Sequence, residues 1–337
     1  MENIIELRNL STEFKVGKNT IRIVKNVSLD VKKGQILSIV GESGSGKSVT
    51  VNSMVNLLPK NGRISSGKSI FKSKSLNDIN ILDQKPYGKT MRKLRGLEIG
   101  MIFQDPMQSL NPVYTVGYQI IENIREHRKI SKDEARKIGI EMLRKLGIPE
   151  PESRFDNYPH QFSGGMKQRA MIAIAMVNNP DLLIADEPTT ALDVTIQAQI
   201  MDLMKEMRDK EAKSVILITH NMGLVAEVAD QVAVMYMGRI VEYGEVEDIF
   251  KNPSHPYTRA LLKSVPIPGM DRNEKLATIP GETPDPQSYV KGCEFKSRCK
   301  YATEECGKRD IPLYRVEANH LARCIRLEGE KELVDEK

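Results

Sequence analysis

Residues 36–50 read ILSIVGESGSGKSVT, and this stretch decides the fold. An apolar, β-branched run precedes GESGSGKS at residues 41–48, which fits the phosphate-binding loop pattern G-x-x-x-x-G-K-[ST], or P-loop. The glycines let successive N–H groups turn inward around a phosphate. Lys47 can reach the β- and γ-phosphates, Ser48 can supply an oxygen to Mg²⁺, and a helix beginning near Lys47 directs its positive end at the same anion. The stretch predicts a nucleoside triphosphate site; the alternative is a glycine-rich turn with a chance lysine.

Composition indicates a globular protein without a polyanionic partner. The 337 residues suffice for one large or two smaller domains with a real core. The 50 basic and 45 acidic residues are interspersed, which argues against nucleic acid as a partner. The N-terminal residues lack the apolar region of a secretory signal, and no window approaches the roughly 18 apolar residues of a membrane span. We therefore expect a cytosolic chain that reaches a membrane only through partners.

The order of apolar segments predicts an α/β fold with two additional parts. Short β-rich runs near the N-terminus predict a small antiparallel sheet, and strands that alternate with helices then predict a mainly parallel, helix-covered sheet. A helical insert is expected at about residues 104–175. Strands are predicted at residues 4–10, 21–24, 27–31, 36–40, 69–71 (an edge strand), 97–103, 182–187, 214–218, 231–236 and 239–243. Helices are predicted at residues 47–58, within 116–146, and at 166–177 and 194–211.

The character of the chain changes near residue 250. Prolines then punctuate a region with little periodicity: Pro253, Pro256, Pro266, Pro268, Pro280, Pro284 and Pro286. We expect one domain at residues 1–250 and an appended module at residues 251–337.

Asp186 and Glu187 end a buried strand and form the second candidate site. A carboxylate at the carboxyl end of a strand beside a P-loop suits Mg²⁺, which favours Asp186 as ligand or outer-shell partner. Glu187 would then polarise the attacking water as general base. The alternative is an acidic turn after a core strand.

Ser163, Gly164, Gly165 and Met166 open a predicted helix and form a second anion-binding helix N-terminus. One γ-phosphate has little need for two such cradles from the same chain. The pattern predicts that two chains meet head to tail, each offering this segment to the nucleotide on the other's P-loop. The alternative is a serine-capped helix with a flexible entry.

These motifs, in this order and spacing, resemble those of ATP-binding-cassette (ABC) ATPases over about residues 1–250. The resemblance implies a RecA-like parallel-sheet core with an antiparallel β subdomain and a helical subdomain. It also implies that Phe14 stacks on adenine, Gln104 senses Mg²⁺, Asp193 of an Ala191-Leu192-Asp193 motif links two sites, and His220 touches the γ-phosphate. The signature departs from the commonest Leu-Ser-Gly-Gly-Gln by having Phe162 and Met166, so position 166 offers a backbone N–H but no amide side chain.

The expected site residues group by role. The catalytic set is Glu187, His220 and Gln104. ATP contacts within one chain are expected from Phe14, Gly41, Ser43, Gly44, Ser45, Gly46, Lys47, Ser48, Val49, Gln104, Asp186, Glu187 and His220. The partner chain is expected to contribute its copies of Ser163, Gly164, Gly165, Met166 and Asp193. The Mg²⁺ set is Ser48, Gln104 and Asp186.

Three longer segments narrow the resemblance: QDPMQSLNP at residues 104–112, YPHQFSGGM at 158–166 and SHPYTRALL at 254–262. They look like the ATPase subunits of oligopeptide, dipeptide and related nickel importers. The match implies a second ATPase subunit (an identical copy or a paralogue), two membrane permease subunits and, indirectly, a peptide-binding protein. It places the chain at the cytoplasmic side of the cell membrane. Two alternatives stay open: an importer of nickel or another small solute, and a soluble ABC ATPase of DNA repair or translation.

All four cysteines, Cys293, Cys299, Cys306 and Cys324, lie in the appended module. Four thiols gathered in a cytosolic protein indicate a metal site more than a disulfide framework. The spacing lacks the tight C-x₂₋₄-C pair usual for structural zinc and suits a 4Fe–4S cluster, with Zn²⁺ and no metal as alternatives. Peptide-importer ATPases with this cysteine pattern are similar in carrying such a cluster. His320 is an alternative ligand, which we expect instead to be an ordinary helix residue.

Overall fold

The computed structural model describes residues 2–189, 192–265, 278–285, 290–329 and 331–334. The strands are β1 (Asn3–Val16), β2 (Asn19–Lys32), β3 (Ile36–Val40), β4 (Gly62–Ser73), β5 (Asn77–Asn80), β6 (Ile99–Ile102), β7 (Leu182–Asp186), β8 (Ser214–Ile218), β9 (Gln231–Tyr236), β10 (Arg239–Glu245), β11 (Tyr314–Glu317), β12 (His320–Ala322) and β13 (Glu332–Leu333). The α-helices are α1 (Lys47–Met54), α2 (Lys89–Lys93), α3 (Pro106–Ser109), α4 (Val116–His127), α5 (Lys132–Lys145), α6 (Pro151–Arg154), α7 (Gly164–Met176), α8 (Val194–Glu211), α9 (Met222–Val228), α10 (Val246–Lys251) and α11 (Pro256–Lys263). Short 3₁₀ or π segments occupy Ile81–Asp83, Leu94–Glu98, Pro159–Gln161, Lys296–Arg298, Glu305–Gly307 and Ile325–Leu327. Ala191, Pro266, Pro268 and Pro286 lie outside the described residues.

The N-terminal strands form a small antiparallel sheet in the order β2-β1-β4-β5, as predicted. β2 runs unbroken through Asn26, where the prediction divided it. Asn26 has a φ of 53°, a left-handed conformation that asparagine tolerates, so the strand continues with a local irregularity. The strand predicted as an edge at residues 69–71 is part of β4, which lies between β1 and β5. The edge strands are β2 and β5.

The larger sheet has the order β13-β11-β12-β10-β9-β3-β8-β7-β6. From β9 to β6 all neighbouring strands are parallel, whereas β10 to β13 pair antiparallel. The predicted parallel core is confirmed, with an antiparallel extension that sequence did not reveal. The carboxyl ends of the parallel strands share one edge, where Gly41, Glu187 and Thr219 follow β3, β7 and β8. The segments that follow these strands therefore lie together at this edge, which is where open α/β sheets bind ligands.

The helix after the P-loop is shorter than predicted. α1 ends at Met54 and not at residue 58. Asn56 has a φ of 54°, which breaks the helical backbone before Pro59 is reached. The helix therefore ends ahead of Pro59, a residue that would itself have prevented its continuation.

The helical insert packs around Phe155, which is buried against α4 and α5. A Cβ on Gly117 of α4 would lie 2.1 Å from the Phe155 ring, and a Cβ on Gly139 of α5 would lie 2.7 Å from it. Only glycine lets both helices approach the ring this closely. α7 joins the same core, which couples the insert to the segment at Ser163.

The C-terminal residues extend the large sheet across position 250. Glu242 and Tyr243 of β10 pair with Ala322 and Leu321 of β12. His320 lies in β12, so the helix expected there is wrong. Its Nε2 lies 2.7 Å from a carboxylate oxygen of Glu242, and both side chains are buried, because the strand places His320 on the inner face of the sheet.

Candidate functional site

The P-loop joins β3 to α1, and its glycines are required by its backbone path. Gly41 and Gly46 have φ angles of 151° and 97°. A Cβ on Gly41 would lie 2.2 Å from the carbonyl oxygen of Met235, so the loop packs its backbone directly against β9. α1 begins at Lys47, as predicted. The positive helix end therefore lies where the motif places the phosphates.

Lys47 is buried, and its ammonium group donates to the loop's own carbonyl oxygens. The distances are 2.8 Å to Gly41 O and 2.9 Å to Glu42 O. Burial lowers the pKa of Lys47, and the nearby carboxylates of Glu187, Asp186 and Glu42 oppose that shift. A phosphate would compensate this buried charge better than neutral carbonyls do.

Asp186 ends β7 with a carboxylate that fits a cation. Its Oδ1 is buried and has no hydrogen-bond partner among the described residues, whereas Ser48 hydrogen-bonds to the carboxylate. Burial raises the pKa of Asp186, and the bond from Ser48 opposes that effect. An unpaired buried oxygen is costly. A hard cation such as Mg²⁺, bound by Asp186 and the Ser48 hydroxyl, would remove that cost.

Glu187 is held in an uncommon backbone conformation between two other predicted site residues. Its φ is 47°, and its N–H donates to Ile218 O at 2.9 Å. Gln104 donates from Nε2 to Oε2 at 3.2 Å, and His220 Nδ1 lies 3.1 Å from Oε1. Left-handed backbone at a non-glycine residue is strained and concentrates at functional sites. The structure thus gathers the predicted catalytic set around one carboxylate.

The signature segment is exposed. Ser163 caps α7 by accepting from Met166 N at 3.3 Å, so the N–H that sequence assigned to a nucleotide is engaged within the chain. A Cβ on Gly164 would meet nothing within 4 Å. Asp193 caps α8 in the same way, accepting from Ile196 N at 3.0 Å. Both helix starts open to solvent.

Phe14 lies in β1 and is only partly buried. A Cβ on Gly62 would lie 3.0 Å from the Phe14 ring, so the ring rests on the backbone of β4. Val49 lies in α1 and packs against the core beneath the P-loop. The adenine contact of Phe14 stays a prediction.

The four cysteines line one small cavity, together with Phe295 and Ile311. All four thiols are free. Across the described parts of the chain, no three His, Cys, Asp or Glu side chains are placed to hold a metal ion. Burial raises the pKa of Cys293 to about 12 and raises that of Cys299 and Cys324 as well. In this arrangement those three thiols are protonated at neutral pH.

Two contacts to the P-loop were missed by sequence reasoning. The Tyr257 hydroxyl accepts from Glu42 N at 2.8 Å, and the Arg298 guanidinium pairs with the Glu42 carboxylate. Tyr257 lies in the SHPYTRALL segment, which the sequence singled out without giving it a role. Nothing in the spacing of residues 42 and 298 signals that they meet.

A P-loop between a central parallel strand and a helix, with two carboxylates ending a nearby parallel strand, defines a P-loop nucleotide-binding protein. Comparison with known proteins narrows that class. Residues 24–190 match the family described as ABC transporter, and residues 241–306 match the oligopeptide/dipeptide transporter C-terminal region. The chain belongs to the ABC transporter ATP-binding family, in the branch that carries this C-terminal region.

Relatives and solved structures agree with that placement. The chain is 49% identical to the dipeptide transport ATP-binding protein DppD of Bacillus subtilis, covering 91% of this chain and 90% of that one. It is 47% identical to the oligopeptide transport ATP-binding protein OppD of the same organism, covering 95% and 88%. The dimeric cassette MJ0796 bound to ADP and Pi is similar with a TM-score of 0.64 and 29% identity, covering 72% of this chain and 98% of that one. Among the described residues, no helix combines the length and apolarity needed to span a membrane.

Proposed function

We propose that this protein is the ATP-hydrolysing subunit that powers uptake of short peptides through a membrane permease. One observation supports ATP hydrolysis most directly: Glu187, beside the P-loop, lies between Gln104 and His220 at hydrogen-bond distance from both. The peptide substrate is supported by the relatives, whose names specify dipeptide or oligopeptide transport. Residues 1–250 would form the cassette and residues 251–337 its C-terminal module.

ATP would be bound between two cassettes. Lys47, at the start of α1, would bind the phosphates of one nucleotide. Ser163, at the exposed start of α7 in the partner chain, would approach the γ-phosphate of the same nucleotide. Val194, beside Asp193 at the start of α8, is 82% exposed, which is unusual for a valine and suits a contact surface. ATP favours the closed pair because it makes extra contacts only there.

Within the closed site, Glu187 would act as general base. Its carboxylate would accept the proton of a water that attacks the γ-phosphorus, while the bond from that phosphorus to the bridging oxygen breaks and ADP leaves. His220 and Gln104 would hold the carboxylate in place. Mg²⁺ bound by Asp186 and Ser48 would partly neutralise the negative charge of the phosphates. Loss of the γ-phosphate removes the contacts that hold the pair closed, so hydrolysis reopens it.

The segment after Gln104 would receive the permease. Exposed apolar side chains follow Gln104 on α3 and the loop leading into α4, with Met107 at 65% and Val113 at 70% exposure. Tyr114 and Tyr118 stack with ring centroids 4.6 Å apart and are also exposed. We expect two permease subunits here, a second cassette (an identical copy or a paralogue) and no nucleic acid. The chain would then lie peripherally at the cytoplasmic face of the membrane.

The four-cysteine cavity would hold a 4Fe–4S cluster, with Zn²⁺ as the alternative. Support comes from the convergence of all four thiols on one cavity although they span residues 293–324. A cluster needs thiolates, and the charge of its iron would lower thiol pKa values that burial alone raises. The group would tie together a region whose secondary structure is sparse.

The test of the function is peptide-dependent ATP hydrolysis in proteoliposomes containing this subunit, the permease subunits and the peptide-binding protein. Hydrolysis should rise on addition of short peptides and remain basal with Ni²⁺. Stimulation by Ni²⁺ alone would replace the peptide substrate with nickel. Failure of the chain to assemble with the permease would overturn the transport role.

A further inference from the structure

Glu42, the second residue of the P-loop, is held by the C-terminal part of the chain. Its N–H donates to the hydroxyl of Tyr257 in α11, and its carboxylate pairs with Arg298 in the 3₁₀ segment Lys296–Arg298. Its carbonyl oxygen accepts from Lys47. The backbone N–H, the carbonyl and the side chain of Glu42 are thus all engaged, two of them by residues more than 200 positions away in sequence.

Arg298 has the geometry of a specific anchor. Two of its nitrogens reach the two carboxylate oxygens of Glu42 at 2.6 and 3.0 Å, and the side chain is 4% exposed. The same guanidinium donates to Pro280 O at 2.9 Å and contacts the Tyr236 hydroxyl at 3.3 Å. Planar, two-point pairing of this kind fixes direction as well as distance, and lysine could not reproduce it.

The Glu42 carboxylate matters because it lies at the mouth of a phosphate site. It belongs to the set of carboxylates that influence Lys47, together with Asp186 and Glu187. Freed from Arg298, the carboxylate would repel the incoming phosphates. The loop would also lose the anchor that fixes the carbonyl facing Lys47.

We propose that Arg298 is a positioning residue of the nucleotide site, which neutralises and orients Glu42 so that the P-loop is preorganised for phosphate. Arg298 directly precedes Cys299, so the fold of the cysteine-bearing segment sets the guanidinium's position. ATP affinity in the cassette then depends on the integrity of the C-terminal module. The inference rests on the proposed function only in taking MgATP as the ligand.

The test compares MgATP affinity of the full-length chain and its variants, measured with a fluorescent ATP analogue and by competition with ATP. Arg298→Gln should weaken binding about tenfold, which is the usual effect of removing a charge-assisted bond. Glu42→Gln, which leaves the module untouched, should weaken binding by a smaller factor. The double variant should bind MgATP no more weakly than Arg298→Gln does, because both substitutions remove the same interaction between Arg298 and Glu42.

Arg309→Gln is the matched control, since Arg309 is an exposed arginine of the same module that pairs with Glu328 and not with the P-loop. It should bind MgATP like the parent chain. Wild-type affinity in both Arg298→Gln and Glu42→Gln, or losses that multiply in the double variant, would overturn the proposal. Should Arg298→Gln fail to fold, Glu42→Gln decides by itself: weakened MgATP binding supports the proposal, and the affinity of the parent chain overturns it. A parent chain that binds no MgATP would instead overturn the proposed function.

Discussion

The carboxylate of Glu187 accepts a 3.2 Å hydrogen bond from the side chain of Gln104. This bond joins the end of β7, where hydrolysis would occur, to the loop after β6, where exposed apolar residues begin. On the same side, the Lys167 ammonium of α7 contacts the Met107 sulfur at 3.2 Å. A change at the γ-phosphate would therefore have a short physical route both to the exposed apolar residues proposed to receive the permease and to α7.

Replacing Glu187 should separate binding from turnover. Glu187→Gln keeps the shape of the side chain but cannot accept a proton, so ATP hydrolysis should fall about 10²- to 10⁴-fold. MgATP affinity should remain, because the phosphate contacts of Lys47 are unchanged. Phosphate release and nucleotide binding are the two measurements. Glu206→Gln, at an exposed position on α8, is the control, and near-normal hydrolysis in Glu187→Gln would refute the assignment of the base.

Charging the exposed apolar surface should uncouple the subunit from its permease. Met107→Asp places a carboxylate where an apolar contact is expected, so co-purification with the permease subunits should be lost. ATP binding by the isolated chain should be unaffected. Tyr87→Asp changes a residue of 73% exposure outside this surface and should leave co-purification intact. Retained assembly in Met107→Asp would place the permease elsewhere.

His255 should make stability depend on pH. It caps α11 from a fully buried position, and burial lowers its pKa to about 4. The unfolded chain takes up this proton near pH 6.5, whereas the folded chain resists it, so the free energy of unfolding should fall by up to about 3 kcal/mol between pH 6.5 and 4.

The matched variant is His255→Asn, because asparagine can still cap the helix but does not titrate. Denaturant unfolding across this pH range should show a flatter acid limb than in the parent chain. His160→Asn, at an exposed position, should keep the parent curve. Identical curves for parent and His255→Asn would contradict the assignment.

If the four-cysteine cavity holds a 4Fe–4S cluster, the metal content of the purified protein should show it. Protein purified anaerobically should contain iron and acid-labile sulfide and absorb visible light, and Cys299→Ser should lose most of the iron. Removing the metal by chelation should lower the melting temperature, because the thiols of the C-terminal region would lose their common partner. Colourless protein with stoichiometric zinc would replace the cluster with a zinc site.

The sequence predicted those helices and strands whose position depends on residues adjacent to them in the chain. The pattern GESGSGKS predicted where α1 begins, and the apolar run before Asp186 predicted β7, because both depend on residues adjacent in sequence. The end of α1 was misplaced because Asn56 took the left-handed conformation ahead of Pro59.

Long-range pairing could not be predicted in this way. β12 joins β10 across a gap of more than 70 residues, and three-residue strands carry too little pattern to be recognised. The same limitation hid the contact between Arg298 and Glu42, because nothing local in the sequence marks two charged residues 256 positions apart as a pair. Burial of a charged pair is decided by the assembled fold.

In the proposed mechanism a second cassette completes the nucleotide site. This is tested by the mass of the Glu187→Gln chain in solution, measured by light scattering with and without MgATP. The mass should double only with MgATP, and the doubling should be lost when Ser163→Arg is added to block the exposed start of α7. A Glu187→Gln chain that binds MgATP yet keeps the mass of a single chain would contradict the claim.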